Sequence, residues 1–117
     1  MKLKEIKELL EAEVLSGQYD PETEILIGCS SDLMSEILAF GKPGSILLTS
    51  LMNIQVINTA NVADIKAVCF VMGKTPTENI INLAKKNDIV VLITELTTFE
   101  SCGRLYKNGI KSCSYLD

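Results

Sequence analysis

Two apolar runs decide the fold: AVCFVM at residues 67–72 and IVVLI at residues 89–93. Runs in which every side chain is apolar are typical of strands that are buried on both faces, as in the centre of a parallel sheet. The segment between them carries apolar side chains at helical spacing, at Ile80, Ile81, Leu83 and Ala84. A strand, a helix and a second strand in this order predict a right-handed crossover between parallel strands.

Start signals of two helices flank the second run. Thr75 and Glu78 form a capping box with Pro76 at the first helical position, which predicts that a helix begins there. Thr97 and Glu100 repeat the box before a last helix. That helix is predicted to carry one apolar face and to end at Gly109, the face consisting of Phe99, Cys102, Leu105 and Tyr106.

Further strands and helices precede these elements. The β-branched run ILIGC (25–29) and the run SILLTS (45–50) predict two more strands. Residues 51–64 fit helical spacing although their β-branched content suits a strand, and we favour the helix. Between the two strands the pattern predicts a helix with Leu33, Met34, Ile37 and Leu38, N-cap oxygens from Ser30, Ser31 and Asp32, and a closing segment at Gly41, Pro43 and Gly44.

The chain opens with an amphipathic helix. Its apolar positions are Leu3, Ile6, Leu9, Leu10 and Val14, and Gly17 is predicted to end it. Elements that alternate in this way predict an α/β layer fold. We expect one domain over residues 1–117, with a mixed, mostly parallel sheet flanked by helices.

Composition excludes several functions. The 117 residues contain no His and no Trp, and the net charge is −4. Without His, the chain lacks the usual nucleophile systems, proton shuttle and metal ligand, so we predict no enzyme, no metal and no cofactor. The acidic balance argues against nucleic acid as a partner. No membrane span or secretory signal is present, which predicts a cytoplasmic protein.

The cysteines show no metal-binding pattern. Cys29, Cys69, Cys102 and Cys113 form no CxxC pair, and we expect reduced structural thiols. Cys69 lies within an apolar run and is expected to pack as a small hydrophobe, while Cys113 is expected to be the most exposed.

Three motifs carry a family resemblance. GKPGSILLT, VMGKTP and ELTTFESCGRLYKNGI, together with the opening EAEVLSG, resemble the DRTGG domain family. The resemblance implies a fold similar to the amino-terminal domain of HPr kinase, a homodimer and a regulatory role. It further implies the stand-alone type of this domain, which is associated with iron-hydrogenase and NADH-oxidising systems.

The chain departs from the motif that gives the family its name. Met52 and Asn53 stand where the resemblance leads one to expect an aspartate and an arginine, and Val71, Met72 and Gly73 stand where it leads one to expect a threonine and two glycines, so that only one glycine is kept. A guanidinium and flexible glycines are natural anchors of an anionic ligand. Their replacement argues against ligand binding at that position.

One helix start remains a candidate anion site. Gly73, Lys74, Thr75 and Thr77 combine a cation, hydroxyls and backbone amides after an expected strand. Helix capping explains the same threonines without any ligand, and Glu78 would repel an anion.

Two hypotheses of function follow. In the first, the chain is a non-catalytic regulatory module, a homodimer that binds a partner protein in a redox-enzyme or kinase-linked system. In the second, it is a small-molecule sensor that binds an adenine nucleotide or another anion at the candidate site.

Overall fold

The computed structural model describes residues 1–16 and 19–113. Its elements in chain order are α1 (Leu3–Leu9), β1 (Glu13–Val14), β2 (Ile27–Ser30), α2 (Met34–Phe40), β3 (Ile46–Thr49), α3 (Gln55–Val62), β4 (Ala67–Phe70), α4 (Glu78–Lys86), β5 (Val90–Ile93), α5 (Thr98–Lys107) and β6 (Lys111–Ser112). In the part of the chain that the structure describes, no helix is long and apolar enough to cross a bilayer.

Six strands form one sheet in the order β1-β5-β4-β3-β2-β6. The strands β2, β3, β4 and β5 are parallel neighbours in chain order, and β6 lies parallel to β2 at the far edge. The short strand β1 runs antiparallel to β5. The chain therefore crosses the sheet from β5 to β6 through α5. This arrangement confirms the predicted mixed, mostly parallel sheet.

Helices cover both faces of the sheet and enclose two hydrophobic cores. Leu3 and Ile6 of α1 and Leu105 of α5 pack on one face, whereas α2, α3 and α4 pack on the other. Every residue of β3 and β4 is buried, as continuous apolar runs predict for central strands. Residues 55–62 are helical because their apolar side chains recur at the spacing that one helix face requires, with Val56, Ile57 and Ala60 in the core.

The two predicted capping boxes have different outcomes. Thr97 caps α5 as predicted, since its Oγ1 accepts a bond from the Glu100 amide at 3.1 Å. The box at Thr75 is wrong, because α4 begins only at Glu78 and its N-cap is Thr77, whose Oγ1 accepts from the Ile80 amide. Thr75 belongs to the loop after β4. Pro76 is buried between these two threonines, so the cap falls on the residue after it.

The predicted capping oxygens of α2 serve other bonds. The N-cap is Leu33, which offers no side-chain acceptor. Ser31 Oγ accepts from the Leu33 amide at 2.9 Å and donates to Glu36 at 2.6 Å, while Asp32 turns away toward the end of β3. Gly41 ends the helix, in agreement with the pattern.

The first helix is shorter than its periodicity predicts. It ends at Leu9, and Glu11 adopts a left-handed conformation with φ of 51°, which turns the chain out of the helix. Val14, predicted as a helical position, instead lies in β1 opposite Leu92. The predicted end at Gly17 lies outside the described residues.

Candidate functional site

Polar groups meet where β2 and β3 end, at the carboxyl edge of the parallel sheet. Asp32 Oδ1 accepts bonds from Thr49 Oγ1 at 2.7 Å and from the Ser50 amide at 2.8 Å. Its Oδ2 accepts from Ser50 Oγ at 2.6 Å. The carboxylate thereby joins the loops that follow two neighbouring strands. Its partners lie 17 and 18 residues away in sequence, so local capping patterns gave no signal for them.

These bonds also set the charge of the carboxyl. Hydrogen bonds from the Ser50 side chain and amide and from Thr49 lower the pKa of Asp32, because each donor stabilises the ionised form. The nearby charge of Lys74 adds a smaller effect in the same direction. The Lys74 ammonium itself donates to the Ser50 carbonyl at 3.1 Å. Asp32, Ser50 and Lys74 therefore form one network of internal bonds.

The four residues of the predicted anion site lie on the β4–α4 loop and at the start of α4, and they point in different directions. Lys74 reaches the Ser50 carbonyl and Thr77 caps its own helix. Gly73 and Thr75 line a small cavity of about 110 Å³, whose other walls include the carboxylates of Glu11, Glu13 and Glu95. The surroundings of Gly73 are therefore acidic. Anion binding at this loop stays a prediction.

The positions that depart from the family motif serve the fold of this chain. Val71 is fully buried in the core on the α1 and α5 side of the sheet, and Met52 packs against the core on the other side. Asn53 Oδ1 accepts a bond from the Gln55 amide at 2.8 Å, at the beginning of α3. The Gly73 amide donates to the Thr94 carbonyl at 3.0 Å. Packing and local hydrogen bonds therefore account for Met52, Asn53 and Val71, whereas Met72 is 51% exposed with a φ of 68°.

A larger cleft of about 580 Å³ opens at the β2–β6 edge, between α2 and α5. Its size lies within the range of about 300–1,000 Å³ that small-molecule sites occupy. The lining is largely apolar, with polar groups at Ser30, Ser31, Glu36 and Lys111; its apolar members include Cys29, Phe40, Leu48, Phe99, Leu105, Tyr106 and Ile110.

The cleft lies beside the described pairing of β2 with β6. The pairing of β2 with β6 covers only Ile27 and Gly28, opposite Lys111 and Ser112. One further bond follows, from the Cys113 amide to the Gly28 carbonyl at 3.2 Å. Beyond it, β2 continues to Ser30 without a described neighbour on this side. The two helices that cover opposite faces of the sheet thus reach past its edge and enclose an open groove.

The wall of the cleft on α5 presents aromatic rings to solvent. Phe99 is 89% exposed and Tyr106 is 73% exposed. Cys102 and Gly103 lie between them on the same side of the helix and also line the cleft. We call these four residues the α5 aromatic face. The sequence predicted that Phe99, Cys102, Leu105 and Tyr106 share one face. All four line the cleft, but Leu105 is buried, whereas Phe99 and Tyr106 are exposed.

The predicted face and the buried stripe of α5 differ, because the stripe that faces the sheet contains Ser101 and Leu105. Leu105 is buried in the core, together with Ser101, one helical turn before it. Arg104 holds this orientation, since its Nη1 donates to the Leu9 carbonyl at 2.8 Å and to Glu11 at 2.9 Å. The exposed stripe could have been recognised in the sequence from Phe99 and Tyr106, two aromatic residues seven positions apart. Spacing alone does not tell which stripe is buried.

The thiols are unreactive where the structure buries them. Burial raises the pKa of Cys69 to about 12, as expected for a cysteine that packs as a hydrophobe. Burial, followed by a hydrogen bond with Cys29, raises the pKa of Cys113 to about 12. Cys113 is half-buried, as is Cys102, and both are more exposed than Cys29 and Cys69. Among residues 1–16 and 19–113, no group of three or more acidic, cysteine or histidine side chains could hold a metal ion.

Known proteins resemble this chain in fold and in sequence. A solved structure described as the CBS and DRTGG domains of the regulatory region of Clostridium perfringens pyrophosphatase, complexed with the activator diadenosine tetraphosphate, is similar with a TM-score of 0.75. The identity is 21%, and the match covers 89% of this chain but 45% of that one, so the chain spans less than half of the relative. No curated protein sequence matches significantly. The sequence profile of the DRTGG domain matches residues 5–107. The chain therefore belongs to the DRTGG domain family.

Proposed function

We propose that the chain is a non-catalytic regulatory module that acts as a homodimer. The observation that carries the proposal is the α5 aromatic face, in which Phe99 and Tyr106 expose most of their rings beside an apolar cleft. Contiguous exposed apolar surface with a polar rim marks interaction sites in proteins. The hydrogen-bond networks and helix caps of the fold do not depend on the exposure of the Phe99 and Tyr106 rings. The fold itself therefore gives no reason why the two rings are exposed.

Burial of these rings would stabilise an assembly. Covering a Phe side chain is worth about 1.5–3 kcal/mol relative to exposure. Symmetry doubles each such contribution, because a twofold dimer uses the same patch on both copies. A homodimer therefore gains twice from every aromatic side chain in the contact.

The regulatory role is supported by the similar solved structure, whose description names a regulatory region. The resemblance to stand-alone members of the family supports a partner protein in a redox-enzyme or kinase-linked system. In that arrangement the chain contributes a binding surface and no chemical step. The network of Asp32 fits this role, because its oxygens are engaged in joining two loops.

A second candidate function is the sensing of a small molecule such as an adenine nucleotide. The size and apolar lining of the cleft favour it. The rings of Phe99 and Tyr106 would provide stacking surfaces for a base, and Lys111 would provide a cation for a phosphate. The β4–α4 loop with Lys74 remains the other candidate position for the anion.

Two measurements separate these proposals. Light scattering or sedimentation at tens of micromolar should give a mass near twice 12.8 kDa. A strictly monomeric mass would refute the homodimer. Thermal unfolding with adenine nucleotides, dinucleotides and acyl phosphates tests sensing, since saturation at about 100 times the dissociation constant adds roughly 2.7 kcal/mol. A nucleotide shift that survives Lys74→Ala but not Lys111→Ala would assign the ligand to the cleft.

A further inference from the structure

The α5 aromatic face has the same pattern in both directions along the helix. Phe99 and Tyr106 are seven residues apart, which is two turns, and Cys102 and Gly103 lie halfway between them. Two copies of this face placed antiparallel bring each Phe99 against the other copy's tyrosine and bring the small residues together at the centre. We propose that α5 packs antiparallel against α5 of a second copy, about a twofold axis beside Gly103. This inference rests on the proposed homodimer and names its contact surface.

Gly103 supports the central position of the axis. A glycine within a helix is less favourable than alanine by about 0.5–1 kcal/mol. Its own fold gives no reason for the glycine, because a Cβ at this position would meet no atom within 4 Å. A close approach of a second backbone does give a reason, since small residues allow helices to pack at short distance. The glycine lies between the two exposed rings, where such an approach would occur.

The charges beside the face are also self-complementary. Glu100 and Lys107 lie on the same flank of α5, seven residues apart, and both are exposed. In the antiparallel arrangement each Glu100 lies opposite the other copy's lysine. Glu100 uses Oε2 to accept a bond from Arg104 at 2.9 Å, and Oε1 accepts none from any described residue. Lys107 forms no ion pair within the described ranges, so both groups are available to a second copy.

The available area suits a dimer that uses the cleft as well as the helix. A stable interface of standard size buries about 800 Å² on each partner. Aromatic side chains bury about 150–250 Å² each, so Phe99 and Tyr106 together supply roughly half of that area. The apolar walls of the cleft adjoin both rings and supply more. A different protein would not need a surface that matches itself under a twofold rotation, which is why we assign the second copy.

The experiment compares two substitutions to glutamate at exposed apolar positions. Phe99→Glu places a charge in the proposed contact, whereas Val62→Glu places one on α3, where the side chain is 74% exposed on the opposite side of the sheet. We expect Phe99→Glu to weaken dimerisation about 100-fold or more, because two rings leave the contact, and Val62→Glu to leave it unchanged. Sedimentation equilibrium measures both constants, and circular dichroism verifies folding. Tyr106→Glu serves as the second variant if Phe99→Glu fails to fold.

Cross-linking tests the antiparallel geometry directly. Cys102 lies beside the axis, so a short bismaleimide should join two copies through this thiol in a Cys113→Ser background. A control that moves the thiol to α3, with Cys102→Ser and Val62→Cys in the same background, should give no covalent dimer.

The outcomes separate the two levels of the proposal. A wild-type dimer that persists in Phe99→Glu and does not cross-link at Cys102 would overturn the α5 contact and leave the homodimer intact. A wild-type chain that stays monomeric would overturn both. Loss of the dimer in Phe99→Glu alone, with cross-linking at Cys102, would support the contact.

Discussion

Removal of the Asp32 carboxylate should destabilise the carboxyl edge of the sheet by an amount that depends on pH. Asp32→Ala deletes three accepted hydrogen bonds, from Thr49 Oγ1, the Ser50 amide and Ser50 Oγ. A bond to a charged group contributes about 1.5–3 kcal/mol when water is excluded. Asp32 is exposed, so water replaces much of this loss, and we expect about 2 kcal/mol in total for Asp32→Ala. Asp32→Asn keeps one acceptor oxygen and should cost about 1 kcal/mol.

The sign of the pH dependence follows from the lowered pKa of Asp32. An acid whose folded pKa lies below its unfolded value stabilises the fold above the unfolded pKa, which is about 3.9, and loses this contribution as pH falls through the folded pKa. The difference between wild type and Asp32→Asn should therefore be constant near neutral pH and shrink below about pH 4. Urea unfolding at several pH values measures it.

A matched control uses an exposed carboxyl outside the network. The carboxylate of Glu8 on α1 forms no hydrogen bond or ion pair with any described residue, and its backbone carbonyl keeps its bond from the Glu11 amide in either variant, so Glu8→Gln should cost little at any pH. For a domain of this size, a loss of about 1 kcal/mol in the free energy of unfolding lowers Tm by about 4 °C. A thermal scan therefore distinguishes Asp32→Asn from Glu8→Gln. Equal stability losses in Asp32→Ala and Glu8→Gln would refute the reasoning. The reasoning would also be refuted if the stability loss of Asp32→Asn, relative to wild type, stayed the same below about pH 4.

Three further predictions concern other parts of the fold. Gly73→Ala and Gly44→Ala should cost similar amounts in urea unfolding, because both glycines have positive φ, near 71° and 77°, and the nearest atoms to a new Cβ at Gly73 belong to the flexible Glu95 side chain, which can move away; a much larger cost at Gly73 would show that Glu95 is held in place. Arg104→Met should lower the urea midpoint, because α5 loses its bond to the α1 carbonyl and its ion pairs; an unchanged urea midpoint would argue against this link. Maleimide labelling of the native chain, followed by mass spectrometry, should modify Cys102 well before Cys69, because burial raises the pKa of Cys69 to about 12. The reverse order of labelling would be evidence against the packing of β4.

The sequence predicts those parts of the fold in which local pattern and tertiary packing agree. The runs at 67–72 and 89–93 become central strands because a fully apolar segment is favourable only where both sheet faces are covered. The helix at Gln55–Val62 forms despite its β-branched side chains, since Val56, Ile57 and Ala60 meet the core together. Core packing here exceeds the small difference in intrinsic propensity.

The candidate site depends on contacts between residues that are distant in sequence, and pattern gives no signal for these. Asp32 has the form of a capping residue, but its partners come from the next strand end. The cleft lies beside β6, and no local pattern at residues 111–112 predicts a strand there. On α5, hydrophobicity favoured burial of Phe99, whereas the fold buries Ser101, whose hydroxyl has no hydrogen-bond partner among the described residues. An apolar helix face has the same periodicity whether it meets a core or a partner.

The position of the proposed interface determines what a homodimer could transmit. α5 leads directly into β6, and the amide of Ile110 between them donates to the Leu105 carbonyl at 3.0 Å. A second copy seated on α5 would therefore lie close to β6, whose described pairing with β2 covers two residues. Phe99 and Tyr106 belong both to the proposed contact and to the lining of the cleft, so dimerisation and occupancy of the cleft would be coupled, and linkage requires the coupling to be reciprocal. The two candidate functions then share one element, because a ligand that covers either ring would weaken the affinity of the proposed copies for each other.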